Sequence, residues 1–119
     1  MTKKESRLSI EEDDGVVRIK FRDRNILEEA VIAQIGEEIL NIIEWSSNPK
    51  LLLNFQDVEH LSSAALGTLI TINNKIKQKG GQLRLSNIKS QIYEVFVITK
   101  LNKLFKIYDD ASEACASFS

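Results

Sequence analysis

The stretch that decides the fold covers residues 50–81 and reads KLLLNFQDVEHLSSAALGTLITINNKIKQKGG. Its first part, residues 50–55, is nearly all apolar, which predicts a short strand covered on both faces. After a polar loop the apolar residues recur at spacings of three and four, and this predicts a helix that runs to Lys79. Gly80 and Gly81 then offer a left-handed stop for that helix. The succession of strand, loop and helix is typical of an α/β protein.

The sequence before this stretch predicts two more strands and a helix. Apolar residues alternate with polar ones over residues 6–12 and again over residues 17–21, and Asp13-Asp14-Gly15 between them is typical of a hairpin turn. Apolar spacing then predicts a helix over residues 27–45, with Asn25 as the start of a weak capping box. A Ser-Ser-Asn-Pro segment ends this helix, because proline cannot continue it.

The sequence after residue 81 alternates in the same way. Residues 83–85 predict a strand, and Asn87 is placed to cap a helix that carries apolar residues between 88 and 96. Residues 105–108 predict a short fifth strand, and a final helix is expected from Asp110. The order β-β-α-β-α-β-α-β-α predicts an α/β fold, in which helices cover a mixed sheet of about five strands that is parallel in its later part.

Composition excludes several classes of protein. The chain has 119 residues, 43% of them hydrophobic, and we expect one domain over residues 1–119. Sixteen Lys and Arg face seventeen Asp and Glu, so the basic excess of a nucleic-acid binder is missing. Residues 60–74 form the longest uncharged stretch, which is too short and too polar to span a membrane. Residues 1–6 have no apolar run that would make a secretory signal. We therefore expect a cytoplasmic protein.

Polar residues follow several predicted strands, at the sheet edge where α/β proteins bind ligands and partners. They are the turn over residues 23–25, the loop over residues 56–63, and Ser86-Asn87. Two interpretations exist for the serines of the loop. Either Ser62 or Ser63 is the N-cap of the following helix, or a hydroxyl there is a phosphorylation site, where the helix dipole tolerates the added charge. Spacing alone does not choose between them.

The sequence offers little for catalysis. His60, the single histidine, lies in the same loop with no carboxylate beside it, so we interpret it as a surface residue and not as a general base. Asp57 is interpreted as a turn former, because the acidic pair that a response-regulator receiver needs after its first strand is here at a hairpin turn. Cys115 has no mate for a disulfide and is expected to pack on the tail helix. No metal ligand set or phosphate-binding loop is present, so we predict neither an enzyme nor a cofactor.

Residues 54–69, NFQDVEHLSSAALGTL, resemble the STAS domains of bacterial anti-sigma factor antagonists. In that family a strand and a short loop lead into Asp-Ser-Ser-Gly-Leu-Gly, which opens a helix. The likeness continues over residues 79–85, 88–105 and 110–114, and so covers nearly the whole chain. This sequence departs from the signature in having Ser62 in place of the aspartate, and alanine in place of the second serine and of the glycine after it.

The resemblance implies a switch between partners. Family members bind an anti-sigma factor that is itself a serine kinase, and phosphorylation by that kinase breaks the complex. By position the acceptor here would be Ser63, with Ser62 as second choice. The partner-binding edge would comprise Asp23, Arg24, Asn25, Glu59, His60, Leu61, Ser62, Ser63 and Ala64.

Further partners and other functions stay open at this point. A serine phosphatase and a second copy of the chain are further candidate partners. The alternative function is a STAS scaffold or stressosome-like interaction module that is not switched, motivated by Ser62 in place of the acidic residue. A small enzyme or nucleotide-binding protein is disfavoured, because the sequence has no general base, metal cluster or phosphate loop.

Overall fold

The computed structural model describes residues 6–118, in which strands and helices alternate. The strands are β1 (Leu8–Asp13), β2 (Val16–Phe21), β3 (Asn25–Ile26), β4 (Lys50–Asn54), β5 (His60–Leu61), β6 (Gln82–Ser86) and β7 (Lys106–Tyr108). The helices are α1 (Glu29–Glu44), α2 (Ser63–Gln78), α3 (Ser90–Ile98) and α4 (Ala111–Ala116), with a 3-10 turn over Leu101–Lys103. The predicted absence of a secretory signal concerns residues 1–5, which lie outside the described residues.

Five strands form one mixed sheet in the order β1-β2-β4-β6-β7. β1 and β2 are antiparallel, and every later pair is parallel. The hairpin between β1 and β2 turns through Asp14 and Gly15, which both have positive φ, as a two-residue turn of the type that matches strand twist requires. The predicted mixed sheet with a parallel later part is therefore confirmed.

Helices α1, α2 and α3 cover one face of the sheet, and α4 covers part of the other. Leu51 and Leu53 join the larger core on the helical face, while Leu52 between them packs with Val16 and Ala114 under α4. Successive residues of a strand point to opposite faces, so a strand buried on both sides must be continuously apolar. All three leucines are fully buried, which confirms the prediction for this strand.

The turn from α2 into β6 fixes how two connections of the sheet meet. Gly80 takes a positive φ of 71°, and the N–H of Gly81 donates to the carbonyl of Ile76 at 2.9 Å. The backbone N–H of Gln82 then donates to the carbonyl of Pro49 at 2.8 Å. A Cβ on Gly81 would lie 2.3 Å from that same oxygen, so only glycine fits at this position.

Two predicted helix starts are wrong. Asn25 does not cap α1, because its backbone belongs to β3; the helix begins at Glu29, and Glu28 in the N-cap position makes no side-chain capping bond. Asn87 does not cap α3, because it adopts a left-handed φ of 59°, and Lys89 is the N-cap residue instead.

Two other predictions fared differently. The final helix does start where expected, with the Asp110 carboxylate accepting a hydrogen bond from the N–H of Glu113 at 2.8 Å. The predicted loop over residues 56–63 contains the short strand β5. Within residues 6–118 no helix combines the length and the apolar character needed to cross a bilayer.

Candidate functional site

The two segments predicted to form the partner-binding edge lie side by side. Outside the main sheet, β3 and β5 form a parallel two-stranded ladder. The carbonyl of Arg24 accepts hydrogen bonds from the N–H of Glu59 at 2.7 Å and of His60 at 3.1 Å. The carbonyl of Ile26 accepts one from the N–H of Ser62 at 3.1 Å. The ladder therefore brings the turn after β2 against the loop that leads into α2.

Side chains tie the same two segments together on the surface. Nδ1 of His60 lies 2.7 Å from Oδ1 of Asn25, and both residues are exposed. The guanidinium of Arg24 lies 3.9 Å from the carboxylate of Glu59, an ion pair that is open to solvent and contributes little stability. His60 is exposed, as predicted, but it belongs to a strand and its Nδ1 is already engaged. It therefore does not act as a base for either serine in this arrangement.

Asp23 differs from the other predicted edge residues. Its carboxylate forms an ion pair with Arg7 at 3.0 Å, and its side chain is only 23% exposed. The guanidinium of Arg7 holds this carboxylate beside the start of β1, away from the solvent that a partner would displace. Asp23 thus supports the turn after β2, and less of it is available for contact than of Arg24 or Asn25.

An apolar layer beneath the ladder fixes its position. Ile26 and Val58 are buried, and so is Phe55 at the end of β4. The ring of Phe55 lies 4.8 Å, centroid to centroid, from that of Phe21 at the end of β2. Because aromatic pairs of this kind are packed in a dense core, the loop has little freedom to shift. Asp57 lies in the turn above them, as predicted, and pairs with Lys20 at 3.5 Å.

The structure assigns different positions to the two serines. Ser62 has extended backbone torsions and is the N-cap of α2, and its Oγ accepts a hydrogen bond from the N–H of Ala65 at 3.2 Å. Ser63 is the first residue of the helix and is exposed, as is Ala64. Within residues 6–118, Oγ of Ser63 has no hydrogen-bond partner. The hydroxyl that caps and the hydroxyl that faces solvent are thus on adjacent residues.

The charges at this edge differ between the two helices that begin there. α1 starts with two exposed acidic residues, Glu28 and Glu29, whereas the first turn of α2 has no acidic residue. A helix N-terminus carries a partial positive charge, and at α2 no side chain of the first turn neutralises it. A phosphate on the first residue of α2 would therefore be electrostatically tolerated in the folded chain.

Sequence reasoning missed Leu27. It was predicted to open α1, but it lies between β3 and α1 and is 51% exposed. A large apolar side chain at the rim of the ladder is a candidate contact for a partner. The signal was its position directly after Ile26, since two adjacent apolar residues cannot both face the core. Of the other predicted edge residues, Ser86 is buried and Asn87 half-buried, so neither presents a surface like that of Ser63.

The described residues hold no group of three or more His, Cys, Asp or Glu side chains that is arranged to bind a metal ion. Cys115 is half-buried and packs against the smaller cluster beneath α4. The edge formed by β3, β5 and the start of α2 therefore offers backbone and exposed side chains for binding, together with one free hydroxyl.

Comparisons with known proteins agree with this architecture. The STAS domain profile matches residues 7–114. A Thermotoga maritima protein with the provisional name of an anti-sigma factor antagonist is 30% identical over 103 residues, which are 86% of this chain and 88% of that protein.

Solved structures give the same result. The structure of an anti-sigma-factor antagonist (STAS) domain protein from Planctomyces limnophilus superposes with a TM-score of 0.83 at 21% identity, covering 94% of this chain and 97% of that one. The Bacillus cell fate determinant SpoIIAA in its phosphorylated form superposes with a TM-score of 0.69 at 17% identity, covering 92% and 96%.

Proposed function

The chain belongs to the STAS domain family, and from that premise we propose that it is an anti-sigma factor antagonist switched by phosphorylation of Ser63. The unphosphorylated chain binds an anti-sigma factor with serine-kinase activity, in the cytoplasm, and so releases a sigma factor. A serine phosphatase returns the chain to the binding form. The chain itself performs no catalytic step in this scheme.

The observation that carries the proposal is the division of labour between Ser62 and Ser63. Ser62 Oγ is engaged in capping α2, so its phosphorylation would remove the cap. Ser63 Oγ is exposed and has no partner among the described residues, so a kinase reaches it without unfolding the helix. The acidic residue that the family carries before the acceptor is replaced by Ser62, which keeps the capping role in this chain.

The binding surface surrounds that hydroxyl. It comprises the exposed parts of Arg24, Asn25 and His60 with Ser63 and Ala64, and we add the exposed Leu27. A phosphate would place between about one and a half and two negative charges in the middle of this surface. A partner that covers Ser63 would have to bury those charges, and burying a charge without a matching cation is unfavourable. Phosphorylation would thus weaken the complex while leaving the fold intact.

The first test is incubation with the cognate kinase and ATP, followed by mass spectrometry of the peptides. We expect phosphate on Ser63, none on the Ser63→Ala variant, and unchanged phosphorylation of Ser90→Ala. Ser90 is a matched control, because it is also an exposed first residue of a helix, α3. Phosphate on Ser62 in the wild type, or no phosphate on either serine, would contradict the assignment.

The second test measures binding of the anti-sigma factor by calorimetry. Ser63→Asp should weaken binding by about tenfold or more, because it places a negative charge in the covered surface. Ser90→Asp makes the same change at the start of α3 and should leave binding unchanged. Equal effects of the two substitutions would mean that Ser63 does not lie in the interface.

A second candidate function rests on Ser62 in place of the family's acidic residue. If the kinase has lost its substrate, the chain would be a constitutive scaffold of a larger assembly. That function predicts a large assembly in solution whose size Ser63→Asp leaves unchanged, together with no phosphorylation by any anti-sigma factor encoded beside it.

A further inference from the structure

An apolar surface of the molecule has no role in the fold or in the proposed switch. Eight large apolar side chains of residues 6–118 are exposed, and five of them lie within 93–104. We call these five the α3 surface: Tyr93, Val95, Val97, Ile98 and Leu104. Ile98 is 79% exposed. Large apolar patches on a protein surface mark places where another molecule binds.

The core requires only one side of α3. Ile92 and Phe96, one turn apart, are buried, and Phe96 packs edge-on against Phe105 with 6.0 Å between ring centroids. At about 100° per residue, Val97 and Ile98 point away from these two residues. A helix at the surface of a globular protein normally carries polar residues there, and a helix that is apolar all round is covered. The outer side of α3 is thus built to be covered.

The charges around the α3 surface indicate what covers it. Glu94 is exposed one turn before Val97 and Ile98, and Lys100 is exposed two residues after them. If two copies of α3 pack antiparallel with Val97 and Ile98 at the crossing point, Glu94 of each copy falls opposite Lys100 of the other. A parallel arrangement would place like charges together, which is unfavourable. The surface is therefore complementary to itself under a two-fold axis, as a symmetric dimer interface must be.

We propose that the α3 surface is the interface of a two-fold symmetric dimer of this chain, formed by antiparallel packing of α3 against α3. The proposal does not rest on the switch, because Ser63 and the β3–β5 ladder are not part of this surface. The dimer presents two copies of the Ser63 edge, so that each can be bound or phosphorylated.

Sedimentation equilibrium of the full chain tests the dimer. We expect a concentration-dependent dimer, and Ile98→Glu should raise its dissociation constant by about tenfold or more, because a charge would be buried at the crossing point. Trp45→Glu is the matched control: Trp45 at the end of α1 is 85% exposed, and replacing it should leave the dissociation constant unchanged. A monomer throughout the micromolar and millimolar range would overturn the proposal, and so would an equal loss in the Trp45 variant.

Charge exchange tests the antiparallel arrangement separately. Glu94→Lys and Lys100→Glu should each weaken the dimer, and the double variant should regain most of the affinity because opposite charges face each other again. A double variant as weak as the sum of the single variants would overturn the antiparallel arrangement. If the wild type is monomeric and Ile98→Glu weakens binding of the anti-sigma factor, the occupant is that partner and the dimer is wrong.

Discussion

Ser62→Ala removes the oxygen that accepts a hydrogen bond from the N–H of Ala65 at the start of α2. Replacing a capping serine by alanine costs about 1 kcal/mol of stability in most proteins. The bond here is long, at 3.2 Å, and Ser62 is half-buried, so water replaces it only in part. We therefore expect the free energy of unfolding to fall by about 1 kcal/mol and Tm by about 4 °C.

Two neighbouring substitutions make this prediction specific. Ser63→Ala removes an exposed hydroxyl without a partner in the described structure, so the free energy of unfolding should change by less than about 0.5 kcal/mol. Ser62→Asp keeps an acceptor at the N-cap and adds a negative charge to a first turn that has no acidic residue. It should be at least as stable as the wild type.

Urea unfolding followed by circular dichroism measures all three variants, with the slope of the transition compared to verify that the unfolded state is the same. The reasoning is refuted if Ser63→Ala destabilises as much as Ser62→Ala, because the cap would then involve the wrong serine. It is also refuted if Ser62→Asp loses as much stability as Ser62→Ala.

Three other substitutions are expected to lower stability for different reasons. Gly81→Ala forces a methyl group against the Pro49 carbonyl and should cost about 2 kcal/mol in urea unfolding, whereas Gly67→Ala, with open space at its Cβ, should be neutral or stabilising. Arg84→Ala removes a buried guanidinium that bonds to Ser117 at 2.9 Å and lies over the Phe118 ring, so limited proteolysis should cleave the C-terminal residues faster. Asp110→Ala removes the cap of α4 and should raise amide exchange in that helix while the large core stays protected.

The long elements were predictable because each carries its own period. Residues 50–55 are buried on both faces and show it as a continuous apolar run, and α2 shows its inner side as apolar residues three and four apart. Both signals are local, so neither needs the rest of the fold. The position of Ser63 at the start of a helix followed from the same periodicity.

The ladder of β3 and β5 could not be predicted. Each strand has two residues, too few for any alternation, and each is extended only because it pairs with a segment 35 residues away. Asn25 followed by Glu28 fits a capping box equally well, and tertiary pairing decided against it. The choice between Ser62 and Ser63 as the cap also depended on backbone torsions, which no sequence spacing fixes to one residue.

The ladder also determines when the site comes into existence. Its halves belong to different β-α units, one completed at β2 and the other at β4, and neither half pairs with anything in the ladder until both units are docked. During synthesis, a nascent chain that has emerged only as far as α1 displays half of the binding edge and none of the acceptor serine. A partner that needs both halves therefore distinguishes finished molecules from unfinished ones.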